Sequence, residues 1–430
     1  MNFSKLKLAI ARLTQNSLTR NTLWMLLAQG LRVVLQAGYF VIIARVLGPE
    51  QYGAFVGATS LIAILAPFAS LGGGNLLIKN VSRNRGLFAQ YWGNALLMIV
   101  VSSFGLVALV LLIAPALLPK TIPLSLIVLV CLTDLIFARV LDVAGQAFGA
   151  VLWLSKTAQL NILPQVTRLI AAFALMSLFT HPQAQTWTFL YLISTAVSAL
   201  IAVLMVNRLL GKPKLALWRI KLEIAEGFYF SIGLSAQSVY NDIDKTMLAR
   251  LASLQATGIY ASPYRLIDVA FVPVRSLLAA AYAEFFQHGT SGITGTVNFA
   301  KRLLPLAGLY GVGVGIALFF LAPVVPYILG NEYQEAGQAL RWLAPLPLLK
   351  ALHYFAADTL TGAGFQGLRS AMQVIIAAFN VLVNLWLIPS YSWRGAAWSS
   401  LASDTVLVIS LWMLVVWLYQ RKTQELKANN

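Results

Sequence analysis

The chain has 430 residues, 59% of them hydrophobic and only 10% charged, with a formal charge of +17 and a mean hydropathy of +0.77. Apolar runs of about twenty residues, the length of helix needed to cross a bilayer core of about 30 Å, recur from end to end and exclude a soluble domain. The basic excess is spread over alternate loops rather than gathered on one face, which excludes nucleic acid as its partner.

The chain opens with MNFSKLKLAIARLTQNSLTR, where polar and basic residues interrupt the apolar core a cleavable signal requires. Residues 1–20 read as a basic amphipathic helix lying on the inner leaflet. Twelve apolar segments follow, over 22–46, 53–79, 87–118, 121–147, 156–180, 186–210, 225–250, 256–286, 297–329, 335–361, 367–389 and 394–419. Strands of membrane barrels alternate in polarity over about 10 residues, and these segments do neither. The expected fold is an all-α integral membrane protein with twelve transmembrane helices.

The first span carries Gln29, Arg32 and Gln36 at i, i+3 and i+7, with Tyr39 extending the stripe. The second contains Pro67 and LGGGN (Leu71 to Asn75), which frees backbone groups that only protein or cavity water can satisfy. That glycine run lacks the lysine and the preceding strand of a phosphate-binding loop. No other stretch resembles a nucleotide site. The fourth span holds the only cysteine, Cys131, which rules out a disulfide within the chain. The same span carries Asp134 and an i, i+3 pair, Arg139 and Asp142.

A basic stretch, GKPKLALWRIKLEI (Gly211 to Ile224), separates the sixth span from the seventh. The seventh span offers Asp242, Asp244 and Lys245 for local pairing. In the eighth, YRLIDVAFVPVRS places Arg265, Asp268 and Arg275 within an arc of about 80° on one helical face. An ionised group at mid-bilayer costs roughly 2.5–3.5 kcal/mol, so this stripe is expected to face a hydrated cavity. Its positive excess suits an anionic group, which a guanidinium holds through a planar fork. Asp268, three residues on from Arg265, partly neutralises it. Arg168, Lys350, His353, Asp358 and Asp404 are scattered singly. Asp268, Asp242 and Asp358 are the carboxylates expected to take up a proton or cation if the protein uses one, because desolvation can push a carboxylate to titrate near neutral pH. Pro263 and Pro273 in the eighth span, and Pro345 with Pro347 in the tenth, mark further bends.

The charges orient the whole. Lys79, Arg83, Arg85, Lys156, Arg208, Lys212, Lys214, Lys301, Arg302, Arg369, Arg421 and Lys422 fall on the side of the two termini, against Arg45, Lys120, Arg250, Arg341 and Arg394 on the other. The positive side is cytoplasmic, so both termini are expected there. ARVLGPEQYGAF from Ala44 and ARLASLQATGIY from Ala249 also correspond at an offset of 205 residues, each with a glycine eight residues after the arginine. That offset lays span one over span seven and implies two six-helix bundles related by a parallel repeat. The expected parts are 1–20, a bundle over 21–210, a connecting loop over 211–224, a second bundle over 225–420 and a tail over 421–430.

IARVLGPEQYGAF resembles the first extracytoplasmic turn of bacterial oligosaccharide-lipid flippases, in the polysaccharide branch of the multidrug/oligosaccharidyl-lipid/polysaccharide exporter superfamily. NDIDKTMLARLASLQATGIYASPYRLID resembles their seventh and eighth helices, APVVPYILGNEYQEAGQALRWLAPL their ninth-to-tenth connection, and NVLVNLWLIPSYSWRGAAWSSLASD their eleventh-to-twelfth. The resemblance implies two bundles around a central cavity that opens alternately to the two sides of the inner membrane. It implies as cargo a polyprenyl-pyrophosphate-linked unit of O-antigen, exopolysaccharide or capsule, with Arg32, Arg265, Arg275, Gln29 and Gln36 receiving its head group. It further implies contact with membrane lipids, a polysaccharide polymerase and a chain-length regulator as partners, and no cofactor. A drug or cation antiporter of the same superfamily would share the architecture but would favour a negative cavity. A membrane glycosyltransferase or polymerase would carry longer loops with acids or metal ligands, and His181, His288 and His353 are far apart in sequence.

Overall fold

The computed structural model describes residues 17–428, so the amphipathic segment expected over 1–20 falls largely outside it. Among the described residues the chain is helical and contains no strand. Helix α1 (Ser17–Leu65) holds the first span and the start of the second, broken at Gly48 (φ 70°, ψ 170°). Glycine adopts that backbone without strain, and Pro49 suits a first helical turn, whose N–H has no partner to lose. The second span breaks again where Pro67 and the glycine run sit. A short 3-10 turn (Ala66–Ser70) and left-handed Leu71 and Gly72 lead into α2 (Gly73–Val81).

The next spans are α3 (Phe88–Leu117), then α4 (Leu124–Cys131) continuing through a π-helical turn at Leu132–Phe137 into α5 (Ala138–Ala150), then α6 (Leu154–Leu178) and α7 (Ala184–Leu209). The seventh is α8 (Leu217–Leu251). The eighth divides into α9 (Leu254–Ala270) and α10 (Val272–His288), parting at Phe271 just before Pro273, whereas Pro263 lies inside continuous α9. The Tyr310 hydroxyl donates to the Ala270 carbonyl at this break, 2.8 Å away, and so satisfies a group the helix no longer can. The ninth and tenth spans comprise α11 (Ile293–Leu321), α12 (Val325–Leu329), α13 (Gln334–Leu343) and α14 (Leu346–Gly362), with Pro345 in the last gap. Helix α15 (Gln366–Ala428) carries the last two spans across a break at Ser392 and runs on where the sequence suggests a tail.

By length and hydropathy, seven described stretches are apolar enough to cross a membrane. They cover every expected span except the seventh, and the eighth and tenth, whose breaks leave helices of 17 residues or fewer. The outer faces carry large apolar side chains such as Leu112, Phe320 and Trp386, each more than 70% exposed, as a multi-pass membrane protein requires.

The described residues form two compact units, one of 17–43, 65–113 and 123–232, the other of 44–64, 114–122 and 233–428. In the first, Leu77, Trp92, Ile99 and Phe148 pack as a core. Asn94 exchanges two hydrogen bonds with the backbone of Ala216, 2.9 and 3.0 Å long, which pins the basic connection to α3. In the second, Phe285 packs edge-to-face on Phe299 within a core that includes Phe271 and Phe355. Residues 44–64 join this unit through backbone contact: a Cβ on Gly53 would collide with the Leu254 carbonyl, and one on Gly258 with the Pro49 carbonyl. The Tyr333 hydroxyl also donates to the Ala44 carbonyl at 2.9 Å. Pro49 and Leu254 stand 205 residues apart, as do Gly53 and Gly258, so the repeat read from the sequence meets itself here.

Candidate functional site

Helices α8, α9, α10 and α14 enclose a cavity of about 510 Å³ in the second unit. The α8 face presents Asn241, Asp242 and Lys245; the broken eighth span presents Tyr264, Arg265, Asp268 and Arg275; α14 presents Lys350 and Asp358. Four cations therefore face three carboxylates, a positive excess.

Each carboxylate has a defined partner. Asp242 accepts from Lys245 at 2.9 Å. Asp268 lies 3.5 Å from Arg275 and 3.9 Å from Lys350. Asp358 lies 3.5 Å from Arg369 at the start of α15, which also donates to Thr361 at 2.7 Å. Arg369 engages Asp358 from outside the lining and Asp244 engages Lys245 from outside it, 3.7 Å away, so the two offset and the positive excess of the wall stands. The Lys245 and Lys350 amines, both buried, sit 4.7 and 5.4 Å from the centre of the Tyr264 ring, whose π face stabilises a desolvated cation. Arg265 and Arg275 are exposed to the cavity.

A buried polar layer backs this wall. The Tyr260 hydroxyl donates to Asp244 and lies 2.8 Å from the Ser400 hydroxyl and 3.2 Å from that of Tyr264. His353 and Asp404 approach to 3.3 Å, both buried. Charges in a medium that cannot hydrate them persist where each meets an opposite charge or a hydrogen-bond partner.

The structure thus gathers Arg265, Arg275, Asp268, Asp242 and Asp358 into one cavity. Gln29, Arg32 and Gln36 lie on the first span, in the other unit, each half-buried. The local pairs expected at Arg139–Asp142 and Asp242–Lys245 form, both at 2.9 Å. The charges read as single are not single: Lys350 meets Asp268, Asp358 meets Arg369, and His353 meets Asp404. Arg168 joins Tyr191, which in turn donates to Asp134 on the π-helical turn at 2.8 Å. Lys350 and Tyr264 were not anticipated as lining residues. A lone lysine in an apolar span was the only available signal for the first, and no signal marked the second.

The fold matches solved transporters closely in shape and distantly in sequence. An inward-facing multidrug-resistance transporter of the MATE family superposes with a TM-score of 0.72 at 15% identity, covering 90% of this chain and 96% of that one. The lipid II flippase MurJ, in an inward closed conformation, gives 0.73 at 10% identity, covering 92% and 87%. The chain therefore has the twelve-helix, two-bundle fold of these membrane transporters. Two curated relatives are each 21% identical. One is a protein of Haloferax volcanii assigned as a low-salt glycan biosynthesis flippase, matched over 91% of this chain and 82% of its own. The other is a protein of Escherichia coli (strain K12) assigned as an O-antigen transporter, matched over 93% and 97%. Residues 18–282 match the polysaccharide biosynthesis protein family, and the chain belongs to it.

Proposed function

We propose that this protein is a secondary transporter that flips a polyprenyl-pyrophosphate-linked oligosaccharide from the cytoplasmic to the extracytoplasmic leaflet of the inner membrane by alternating access. The observation that carries the reading is the positive excess of the cavity around Arg265 and Arg275. Two guanidiniums exposed to a shared cavity offer charge-assisted, bidentate hydrogen bonds to a pyrophosphate, while the sugar finds amide and phenol partners nearby. The same excess disfavours a cationic drug. Assignment of the two curated relatives to glycan transport supports the same cargo class. Arg32, with Gln29 and Gln36, belongs to the proposal as a second polar stripe for the head group. Asp242, Asp268 and Asp358 are its candidates for ion coupling. Both termini are cytoplasmic in this reading, and a polysaccharide polymerase with its chain-length regulator would take up the product.

The test is leaflet translocation of the lipid-linked sugar in vesicles carrying equal amounts of each variant. Arg265→Ala is expected to stop translocation while leaving the protein inserted. Arg265→Lys should retain part of it, because the charge remains and the fork is lost. Asp268→Asn should be milder than Arg265→Ala. Normal translocation by Arg265→Ala would remove the eighth span from the substrate path.

A further inference from the structure

The second unit contains another cavity, of about 310 Å³, that the translocation site does not use. Ser253 and Gln255 line it from the turn into α9, Glu335 from α13, and Tyr391 to Arg394 from the break in α15. These connections join spans seven to eight, nine to ten and eleven to twelve, so they share one membrane face. With the termini cytoplasmic, that face is extracytoplasmic, where a flipped head group arrives.

The backbone explains how the cavity is built. In an unbroken helix Tyr391 and Trp393 would project about 200° apart. Ser392 instead takes φ 54° and ψ −134°, a conformation an L-residue rarely adopts, and both aromatic residues line the one cavity. Such strain persists where the surroundings hold it. Here the buried Trp393 donates its indole N–H to Glu335 at 2.7 Å, Arg394 lies 5.3 Å over the same indole, and Tyr391 packs 5.1 Å from Trp398. The Tyr391 ring, half exposed, offers a flat apolar plate beside the Glu335 carboxylate, the Gln255 amide and the Arg394 guanidinium. That combination matches a pyranose. The C–H face of the sugar lies on the aromatic plate, and its hydroxyls, each donor and acceptor, satisfy a rim that mixes both. The volume stands at the lower end of small-ligand sites, about 300–1,000 Å³, and suits one ring rather than a whole repeat unit.

We propose that this cavity is a glycan subsite that binds a single pyranose ring of the cargo on the extracytoplasmic face. The inference rests on the reading of the cargo as a glycan, yet its test needs no lipid anchor. Purified full-length protein in nanodiscs is offered free glucose, N-acetylglucosamine and glucuronate, and contact is read by saturation-transfer NMR. One or more of these sugars is expected to receive saturation from the wild type and from Tyr391→Phe, which keeps the plate. Tyr391→Ala should weaken binding about tenfold, the factor that corresponds to 1.4 kcal/mol. Gln255→Ala, on a separate element, should also weaken it, and it decides the matter if Tyr391→Ala does not fold. The proposal falls if none of the three sugars contacts the wild type, or if Tyr391→Ala and Gln255→Ala both bind normally. None of these results alters the translocation outcome expected for Arg265→Ala, so the two readings fail separately.

Discussion

Lys245 is buried between two carboxylates, 2.9 Å from Asp242 and 3.7 Å from Asp244, and the Asp244 side chain is only 3% exposed. Removing the ammonium strands that carboxylate in a place with little water, and breaking a buried pair from one side costs about 3–5 kcal/mol. Lys245→Met is therefore expected to lower the thermal unfolding midpoint in detergent sharply. Asp242→Asn should lower it less, because Asp242 is about one-third exposed and water already screens it. An unchanged midpoint for Lys245→Met would mean that the pair contributes nothing. At this scale the sequence was informative only over short separations. The i, i+3 pairs at Arg139–Asp142 and Asp242–Lys245 follow from helical geometry alone. The Asp268–Lys350 and His353–Asp404 pairs join residues many turns apart, and no local pattern encodes which helices become neighbours.

The helices themselves were legible because hydropathy and breakers act locally. Pro67, Pro273 and Pro345 each coincide with an interruption, while Pro263 sits in a helix that absorbs it. The π-helical turn at Leu132–Phe137 left no mark in the sequence; it carries Asp134, which accepts from Tyr191 on another helix of the unit. The turns carrying Gly53 and Gly258 give the sharpest test of an element contact. Each glycine lies against a backbone carbonyl from the other turn, which cannot rotate away as a side chain can. Gly53→Ala and Gly258→Ala are each expected to destabilise by about 1–3 kcal/mol through overpacking. Gly308→Ala, in helix α11 with open space around its Cβ position, should be neutral or stabilising by up to about 1 kcal/mol. Thermal unfolding of the three side by side separates the two cases. If Gly53→Ala and Gly308→Ala behaved alike, the close approach of the two turns would be refuted.

Twelve spans return the chain to the side on which it began, and in the proposed orientation the basic loops make that side cytoplasmic. A tag at the C-terminus should accordingly stay inaccessible to a membrane-impermeant reagent in intact cells and become reactive once the membrane is opened. Labelling of intact cells would reverse the orientation and with it the face assigned to the Tyr391 cavity. Hydropathy carries this level of organisation well, because the bilayer imposes the same length on every span. It carries the cavity poorly, because the spans that build it are the least apolar ones.

Those three spans, the seventh, eighth and tenth, also bear on how the protein is made. A nascent helix enters lipid before its later neighbours exist, so any charge it carries must be tolerated with what has already been synthesised. Lys245 emerges just after Asp242, and Arg275 seven residues after Asp268, so spans seven and eight bring their own counter-charges with them. Asp358 is different, because its arginine follows eleven residues later, at the start of the next helix. The tenth span is therefore the one whose settling in the bilayer depends on the segment still leaving the ribosome, and biogenesis is most exposed to error at that step.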